Sequence, residues 1–295
     1  MLTSALDIMA IAAHRDDVEQ TCGGTLLKMA ELGHRTGILD LTQGEMGTRG
    51  SAEERAREAE QAAKILKVEW RQGLDIPDGR VENTWENRLK VARVIRQTRP
   101  GVVILPYWKG RHPDHYTSSK LGYEACFLAG LAKLDIERAL SVKDSAFSQV
   151  ASAVASVVAG EKQTRSGKGA GSRNAELSGA VEDTSGAVLN SASQQPHRPF
   201  KIVYATLYHD IRPTFVVDIT QQFEARLQSI YAYKSQYTDQ EAGRNDFPAH
   251  AEIRERVATM AGFYGLLAGV KYAEPFVQKE IGLVEDVTAI PVKSI

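Results

Sequence analysis

Residues 6–24 read LDIMAIAAHRDDVEQTCGG, and this stretch decides the fold. The apolar run from Ile8 to Ala13 has the length and composition of a buried parallel strand. It stops abruptly at His14, which is followed by an arginine and two adjacent aspartates, Asp16 and Asp17. Adjacent carboxylates repel each other unless a positive charge lies between them. The end of this strand therefore predicts a polar site.

From here the chain alternates between strand and helix patterns as far as about residue 130. Helices are predicted in GTLLKMAELGH, SAEERAREAEQAAKILK and residues 84–99, and strands in RTGILDLT, VEWRQG and GVVILPY. Such alternation is typical of an α/β fold with a mostly parallel sheet and helices on both faces. Ligands of these folds bind at the C-terminal ends of the strands, where His14 and the loop after GVVILPY both lie.

A segment rich in Ala, Ser and Gly interrupts the alternation at about residues 144–198. No aromatic residue occurs between Phe147 and Phe200, so the segment offers little surface whose burial could offset the entropy of ordering it. We predict a mostly disordered insertion within a single domain that spans residues 1–295. Two strands, in FKIVYATLYH and TFVVDIT, and two helices, in QFEARLQSIYAYKSQY and EIRERVATMAGFYGLLAG, then lead to a terminal tail.

The composition narrows the class of protein. Of the 295 residues 43% are hydrophobic and 25% charged, and the formal net charge is -1. Proteins that bind nucleic acid usually carry a basic excess, and no apolar run approaches the roughly 18 residues of a membrane span. Two cysteines, Cys22 and Cys126, make no disulfide framework, and the first residues lack the basic region of a signal peptide. We expect a soluble cytoplasmic protein with no nucleic-acid or membrane partner.

A second polar cluster, WKGRHPDHYTS at residues 108–118, follows the strand GVVILPY. It places His112, Asp114 and His115 within four positions. With His14, three of the seven histidines of the chain lie at predicted strand ends of one sheet. Imidazoles and carboxylates are the common ligands of catalytic metals, so the two clusters together indicate one site.

These side chains predict a hydrolytic metal site. His14 and Asp17 are three residues apart at the opening of a helix or turn and can face one point, where His115 would supply a third ligand. Two imidazoles and one carboxylate make an open catalytic zinc set, and bound zinc acidifies water and polarises carbonyls. Asp16 would then accept the proton of that water, and a protonated His112 would stabilise an oxyanion or protonate a leaving amine.

Simpler interpretations exist for each cluster. Asp16 or Asp17 could cap the following helix, and HPDH could be a turn. The occurrence of both clusters at adjacent strand ends favours a site over these two coincidences. A Rossmann-like nucleotide-binding protein is a third interpretation, but no glycine-rich phosphate loop follows the first strand.

A glycine-rich loop, TQGEMGTRGSAEER at residues 42–55, follows the second strand. It carries Glu45, Arg49 and Arg55, and Arg111 precedes the HPDH cluster. Arginine suits bidentate recognition of a carboxylate or a phosphate. We therefore expect an anionic group of the substrate near these arginines, with an ordinary surface charge as the alternative for each one.

The stretches AAHRDDVEQTCGGTL and RHPDH resemble the AHPDD and HxDH motifs of the LmbE-like, or PIG-L, superfamily of zinc-dependent N-deacetylases. LDLTQGEMGTRGS, RPFKIVYATLY, PTFVVDIT, AYKSQY and GVKYAEPF are similar to the bacillithiol-biosynthesis deacetylases, which remove acetate from N-acetyl-α-D-glucosaminyl L-malate. The resemblance covers nearly the whole chain outside residues 136–198. It implies a Rossmann-like three-layer sandwich and a hydrolase that deacetylates an N-acetylglucosamine conjugate. A thiol-conjugate amidase or a deacetylase of other amino sugars is the alternative within the superfamily.

The resemblance also implies a role for each site residue. The metal, one Zn²⁺ per chain or another divalent ion such as Fe²⁺, would be held by His14, Asp17 and His115. Asp16 would be the general base, and His112, oriented by Asp114, the electrophilic or acid histidine. The residues that hold the substrate, including a malate carboxylate, would be Arg55 and Arg111, with Glu45 and Arg49 nearby.

One residue departs from the superfamily's pattern. Arg15 stands where the motif has proline, so the chain loses a fixed φ and gains a positive charge beside the metal loop. Neither a ligand nor the base is lost, so we expect metal binding to survive. Members of the superfamily are commonly oligomers, and a homo-oligomer is expected here.

Overall fold

The computed structural model describes residues 5–141, 195–206, 210–237 and 250–292. The first half of the chain contains the strands β1 (Ile8–Ala12), β2 (Thr36–Asp40), β3 (Trp70–Gly73) and β4 (Val102–Pro106). Its helices are α1 (Asp17–Thr21), α2 (Gly23–Glu31), α3 (Ala52–Ile65), α4 (Trp85–Thr98) and α5 (Pro113–Ala129). The second half contains β5 (Lys201–Ala205), β6 (Phe215–Asp218), α6 (Phe223–Tyr231), α7 (His250–Ala268) and β7 (Ala273–Gln278), followed by a 3-10 turn at Val287–Ala289.

The strands form a seven-stranded sheet in the order β3-β2-β1-β4-β5-β7-β6. Strands β3, β2, β1, β4 and β5 pair in parallel, whereas β7 pairs antiparallel with both β5 and β6. Strands β2 and β3 lie on one side of β1, in chain order. Strand β4 lies on the other side of β1, followed by β5, β7 and β6. The switch point between β1 and β4 is where open α/β sheets bind ligands.

The alternation of side chains along β1 produces the layers. Met9 and Ile11 belong to an apolar cluster with residues of α4 and α5, and Ala10 and Ala12 to a second cluster with residues of α1 and α2. All residues of β1 are buried, as expected of a central strand covered on both faces. The predicted three-layer α/β fold with a mostly parallel sheet is confirmed.

The prediction of a terminal tail after α7 is wrong for residues 273–278. These residues form β7, which lies between β5 and β6 in the sheet. Glu274 and Pro275 hide this strand in the sequence, because both residue types are uncommon in strands. The Glu274 carboxylate is buried and accepts hydrogen bonds from the N–H groups of Gly24 and Thr25, at 2.9 and 2.7 Å. Its charge is thus used to anchor the first turn of α2.

The predicted insertion falls almost entirely outside the described residues, which resume at residue 195. Strand β5, the next described strand after β4 and α5, pairs directly with β4. Within the described ranges, no helix is both long and apolar enough to cross a membrane.

Candidate active site

The two predicted clusters meet at the C-terminal ends of neighbouring strands. His14 lies between β1 and α1, His112 directly precedes α5 on the loop after β4, and His115 lies in the first turn of α5. Because β1 and β4 pair in parallel, both loops leave the same edge of the sheet. The three imidazole rings lie 4.9 to 5.2 Å apart between their centroids, although His14 and His115 are 101 residues apart in the chain.

The candidate ligands His14, Asp17 and His115 converge on one point. His14 Nδ1 lies 3.2 Å from His115 Nε2 and 3.4 Å from Asp17 Oδ2, and His115 Nε2 lies 3.2 Å from Asp17 Oδ1. A tetrahedral Zn²⁺ with bonds of about 2.0 to 2.1 Å sets its ligand atoms roughly 3.3 Å apart. The donor set and its spacing therefore fit a zinc-like ion. His112 offers a further ring nitrogen, within 4.8 Å of those of His14 and His115.

The electrostatics of this cluster favour a positive charge at its centre. Burial disfavours the protonated ring of His14, but the charge of Asp17 and hydrogen bonds to three carboxylates raise its pKa to about 12. Burial likewise acts to lower the pKa of His115, and Asp17 raises it by more. Burial acts to raise the pKa of Asp17, but His115 and His14 hold it well below its usual range. A bound cation would meet the same demand, which explains how two adjacent aspartates are tolerated.

Two carboxylates hold the opposite edge of the His14 ring. Asp78 Oδ1 lies 3.0 Å and Asp114 Oδ2 3.4 Å from His14 Nε2. A carboxylate on the second nitrogen of a metal-binding imidazole fixes its tautomer and its orientation. Asp78 does not stand out in the sequence, because the loop after β3 carries no histidine to mark it. The signal that could find it is its position after a strand, at the same edge of the sheet.

The Asp114 carboxylate contacts a different histidine from the one that the resemblance implied. Its carboxylate accepts hydrogen bonds from the N–H groups of Gly79 and Val81, at 2.8 and 3.2 Å, and faces His14. His112 is oriented instead by the backbone of Asp114, whose N–H donates to His112 Nδ1 at 3.2 Å. The Asp114 carboxylate therefore ties the loop after β3 to a candidate metal ligand.

His112 is the N-cap of α5. Because its Nδ1 accepts the N–H of Asp114, the proton of the neutral imidazole lies on Nε2. Desolvation by the neighbouring groups lowers the pKa of His112, and the charges of His14 and His115 lower it further. In its neutral form the ring is a hydrogen-bond donor through Nε2, which suits the stabilisation of an oxyanion.

Three donors hold the carboxylate of Asp16. Arg55 Nη2 lies 3.3 Å from Oδ1, while Tyr237 Oη and Gln20 Nε2 donate to Oδ2 at 2.6 and 3.2 Å. The charge of Asp16 also contributes to raising the pKa of His115, so it acts at the candidate metal centre. A carboxylate held in this way beside the candidate metal ligands could accept a proton from water.

The four residues expected to bind substrate do not share one environment. Arg55 is buried, and its guanidinium faces Asp16 and a carbonyl of the glycine-rich loop, so it can position the predicted base. The Glu45 carboxylate accepts a backbone N–H of the loop after β3 at 2.8 Å. Arg49 is partly buried, and Arg111 is exposed beside the HPDH turn.

Two side chains bind the backbone of the loop that carries His14, Asp16 and Asp17. The carbonyl of Arg15, between a candidate ligand and the predicted base, accepts hydrogen bonds from Arg71 at 2.6 Å and from the hydroxyl of Tyr233. Arg71 forms a two-point ion pair with Asp40, at 2.8 and 2.9 Å. The Arg15 side chain donates to the carbonyl of Ala52 at the start of α3, at 2.5 Å. This side chain thus supports the loop from outside the cluster of histidines.

Residues 9–126 match the model of the PIG-L family, described as GlcNAc-PI de-N-acetylase. The conserved protein TT1542 from Thermus thermophilus is 32% identical to this chain, over 95% of this chain and 98% of that one, with a TM-score of 0.66. The uncharacterized deacetylase YaiS of Escherichia coli is 30% identical over 125 residues, which are 40% of this chain and 67% of YaiS. The chain belongs to the PIG-L family.

Membership of the PIG-L family confirms the predicted superfamily and the prediction of an enzyme of the N-deacetylase type. The diacetylchitobiose deacetylase of Thermococcus kodakarensis is similar over most of the chain, with 26% identity over 280 residues, 90% of this chain and 80% of that protein. The PIG-L match includes the candidate ligands His14, Asp17 and His115 and ends well before Tyr233 and Tyr237.

Proposed function

We propose that this protein is a divalent-metal-dependent hydrolase that removes the acetyl group from an N-acetylglucosamine-type amino sugar. The observation that carries the proposal is the convergence of His14 Nδ1, Asp17 and His115 Nε2 at 3.2 to 3.4 Å from one another. This spacing fits a tetrahedral ion, and the adjacent carboxylate of Asp16 is positioned as a base. A binding protein has no need of that combination.

The residues divide the chemistry between them. A divalent ion held by His14, Asp17 and His115 would supply Lewis acidity, which polarises an acyl carbonyl and lowers the pKa of water. Asp16 accepts a proton from the water that attacks the carbonyl carbon. The Nε2–H of His112 donates to the oxygen on which negative charge develops.

The reaction ends with cleavage of the carbon–nitrogen bond. The proton held by Asp16 passes to the amine nitrogen, the carbon–nitrogen bond breaks, and the acyl group is released as acetic acid, whose proton is then taken up by the free amine to give acetate and an ammonium group. Arg55 and Tyr237 keep the Asp16 carboxylate in place through the cycle, because each holds a different oxygen. His14 keeps its orientation through Asp78 and Asp114.

We propose zinc as the resident ion, because two imidazoles and one carboxylate form a common open zinc set. The finer proposal for the substrate is N-acetyl-α-D-glucosaminyl L-malate, the conjugate deacetylated in bacillithiol biosynthesis. Arg111 is exposed beside the HPDH turn, so its guanidinium is accessible to a malate carboxylate. A neutral N-acetylglucosamine oligosaccharide is the second candidate, supported by the similarity to diacetylchitobiose deacetylase.

A deacetylation assay on a substrate panel, with and without a chelator, tests the proposal. The panel contains the malate conjugate, diacetylchitobiose, N-acetylglucosamine and a mercapturic-type conjugate, and acetate release is measured. We expect chelator-sensitive release from at least one N-acetylglucosamine compound. Arg111→Ala should reduce turnover of the malate conjugate more than that of diacetylchitobiose, and equal losses would contradict the carboxylate assignment. Acetate release that persists without metal would contradict the proposed chemistry.

A further inference from the structure

One buried side chain of the candidate site departs from the pattern of the family's motif. Arg15 stands where that motif has proline, and it is only 9% exposed. Its Nη1 donates a hydrogen bond to the carbonyl of Ala52 at 2.5 Å. Its Nη2 lies beside the end of β3, 3.4 Å from where a β-carbon on Gly73 would stand. The Arg15 side chain therefore joins the loop between β1 and α1 to the beginning of α3.

This position is unfavourable for a cation. Burial lowers the pKa of Arg15, and although the charge of Asp40 acts to raise it, the charge of Arg71 lowers it again. Burial of a charged group is costly unless hydrogen bonds or opposite charges compensate for it. The hydrogen bond to the Ala52 carbonyl supplies part of this compensation, so it gives the guanidinium one defined place.

The two segments that Arg15 joins contact each other a second time. Arg55, in the first turn of α3, donates from Nη2 to Asp16 Oδ1 at 3.3 Å. Ala52 and Arg55 are less than one turn apart, since an α-helix has 3.6 residues per turn. A shift of the Ala52 carbonyl therefore also shifts the backbone of Arg55. The contact between Arg15 and Ala52 thus restrains the turn from which Arg55 reaches the carboxylate.

We propose that Arg15 is a positioning residue of the reaction: it fixes the first turn of α3, and this turn places Arg55 against the carboxylate of Asp16. The inference rests on the proposed function, in which Asp16 is the general base. Proline would restrain the loop through its fixed φ, whereas Arg15 restrains it through a contact with a neighbouring helix. The contact uses a single N–H, which a lysine ammonium can also supply.

Steady-state kinetics of Arg15→Ala and Arg15→Lys test the inference. Diacetylchitobiose and the malate conjugate are the substrates, and the metal content is measured alongside. We expect Arg15→Ala to lower kcat by about tenfold and to leave KM and metal content nearly unchanged, because a small misplacement of a catalytic group is costly. Arg15→Lys should retain at least about half of kcat, since it supplies the same N–H.

Arg57→Ala, at an exposed position of the same helix, is the matched control and should leave kcat unchanged. An unchanged kcat in Arg15→Ala would overturn the inference. An equal loss of kcat in Arg15→Lys or in Arg57→Ala would overturn it as well.

A double-mutant cycle tests whether Arg15 acts through Arg55. The effect of Arg15→Ala on kcat is measured in the parent protein and in Arg55→Met, which keeps a long side chain but removes the contact with Asp16. Because the positioning needs Arg55, we expect Arg15→Ala to lower kcat by less than about twofold in the Arg55→Met background. An equal loss in both backgrounds would show that Arg15 acts by another route and would overturn the inference.

Amide hydrogen exchange of the full chain provides a measurement that does not depend on turnover. At the start of α3, the Arg55 N–H donates to the Ser51 carbonyl at 2.9 Å. At its end, the Leu66 N–H donates to the Ala62 carbonyl at 3.0 Å. Arg15→Ala should accelerate exchange of the Arg55 amide by about tenfold or more and leave that of Leu66 unchanged, because only the first turn loses a restraint.

This measurement separates failure of the inference from failure of the proposed function. If neither substrate is hydrolysed but exchange of the Arg55 amide accelerates selectively, the placement of Arg55 by Arg15 stands and the proposed reaction fails. Unchanged exchange of the Arg55 amide would overturn the inference whatever the turnover.

Discussion

The hydroxyl of Tyr237 donates a 2.6 Å hydrogen bond to Oδ2 of Asp16, across 221 residues of sequence. The segment that ends at Tyr237 is fixed at several points. The N–H and hydroxyl of Ser235 donate to Glu58 on α3, each at 2.7 Å, and Gln236 donates to a carbonyl of the glycine-rich loop at 2.9 Å. The C-terminal part of the chain therefore positions the proposed base.

Tyr237→Phe should reduce kcat by about tenfold and leave KM and metal content nearly unchanged. The ring keeps its packing, but the carboxylate loses a charge-assisted hydrogen bond, which contributes about 1.5 to 3 kcal/mol. Steady-state kinetics and elemental analysis measure the three quantities. Tyr123→Phe, at an exposed position of α5, is the matched control and should leave all three unchanged.

A double-mutant cycle with Asp16→Asn distinguishes positioning of the base from general support of the fold. The free energy of unfolding is measured for the four metal-free proteins. Tyr237→Phe should destabilise the parent protein more than it destabilises the Asp16→Asn variant, because an amide is a weaker partner than a carboxylate. Equal effects in both backgrounds would assign Tyr237 to structure alone.

Asp16→Asn should retain the metal and lose at least about a hundredfold in kcat, since an amide cannot accept the proton of water. Elemental analysis should still find about one metal ion per chain. Asp17→Asn, one residue further along, should instead lose the metal. Full activity in Asp16→Asn would show that another group is the base.

Asp78→Asn should weaken metal binding by about ten- to a hundredfold, because Asp78 holds the second nitrogen of His14 at 3.0 Å. Competition with a fluorescent chelator measures the dissociation constant. Asp75→Asn is the control. Asp75 lies in the same loop as Asp78, but its exposed carboxylate forms an ion pair with Lys90 of α4. A metal affinity unchanged in Asp78→Asn would remove Asp78 from the site.

Removal of the metal should destabilise the protein. Free zinc at a hundredfold excess over its dissociation constant adds about 2.7 kcal/mol to the free energy of unfolding, provided that it binds only the folded chain. Calorimetry should therefore show a lower Tm after chelation, restored by zinc. The same treatment should leave the Tm of Asp17→Asn almost unchanged, and an equal shift in that variant would point to a different site.

Glu274→Ala should reduce the free energy of unfolding by about 3 to 5 kcal/mol, because it leaves buried partners uncompensated. Glu274 accepts the N–H groups of Gly24 and Thr25 and pairs with Arg226 at 3.0 Å. Denaturant unfolding measures the loss. Glu280→Ala, at an exposed position after β7, should change the stability by less than about 0.5 kcal/mol.

Local sequence patterns were sufficient to predict most of the fold and to locate the candidate site. The buried run before His14 and the turn HPDH are both contiguous in sequence, so the strand end and the polar cluster could be recognised without knowing any contact. Strand β7 could not be recognised in this way, because a glutamate such as Glu274 is typical of a surface position. Its buried partners in α2 become apparent only in the structure. The same reason hides Asp78 and Tyr237, whose roles depend on contacts far apart in the chain.

Some features of the site depend on burial or on contacts that the sequence does not give. An arginine in a glycine-rich loop is as consistent with substrate binding as with support, and only the structure shows that Arg55 is buried against Asp16. The tautomer of a neutral His112 depends on the backbone N–H that its Nδ1 accepts, which the spacing of HPDH does not reveal.

All candidate metal ligands occur within the first 115 residues, but Tyr233 and Tyr237, which hold the loop and the base, are made much later. During synthesis, a chain that stops before Tyr233 has every ligand and lacks these two supports. The loop that carries the proposed base is therefore tied to a segment more than 200 residues further along the chain, so this part of the site is complete only when both distant stretches are folded together.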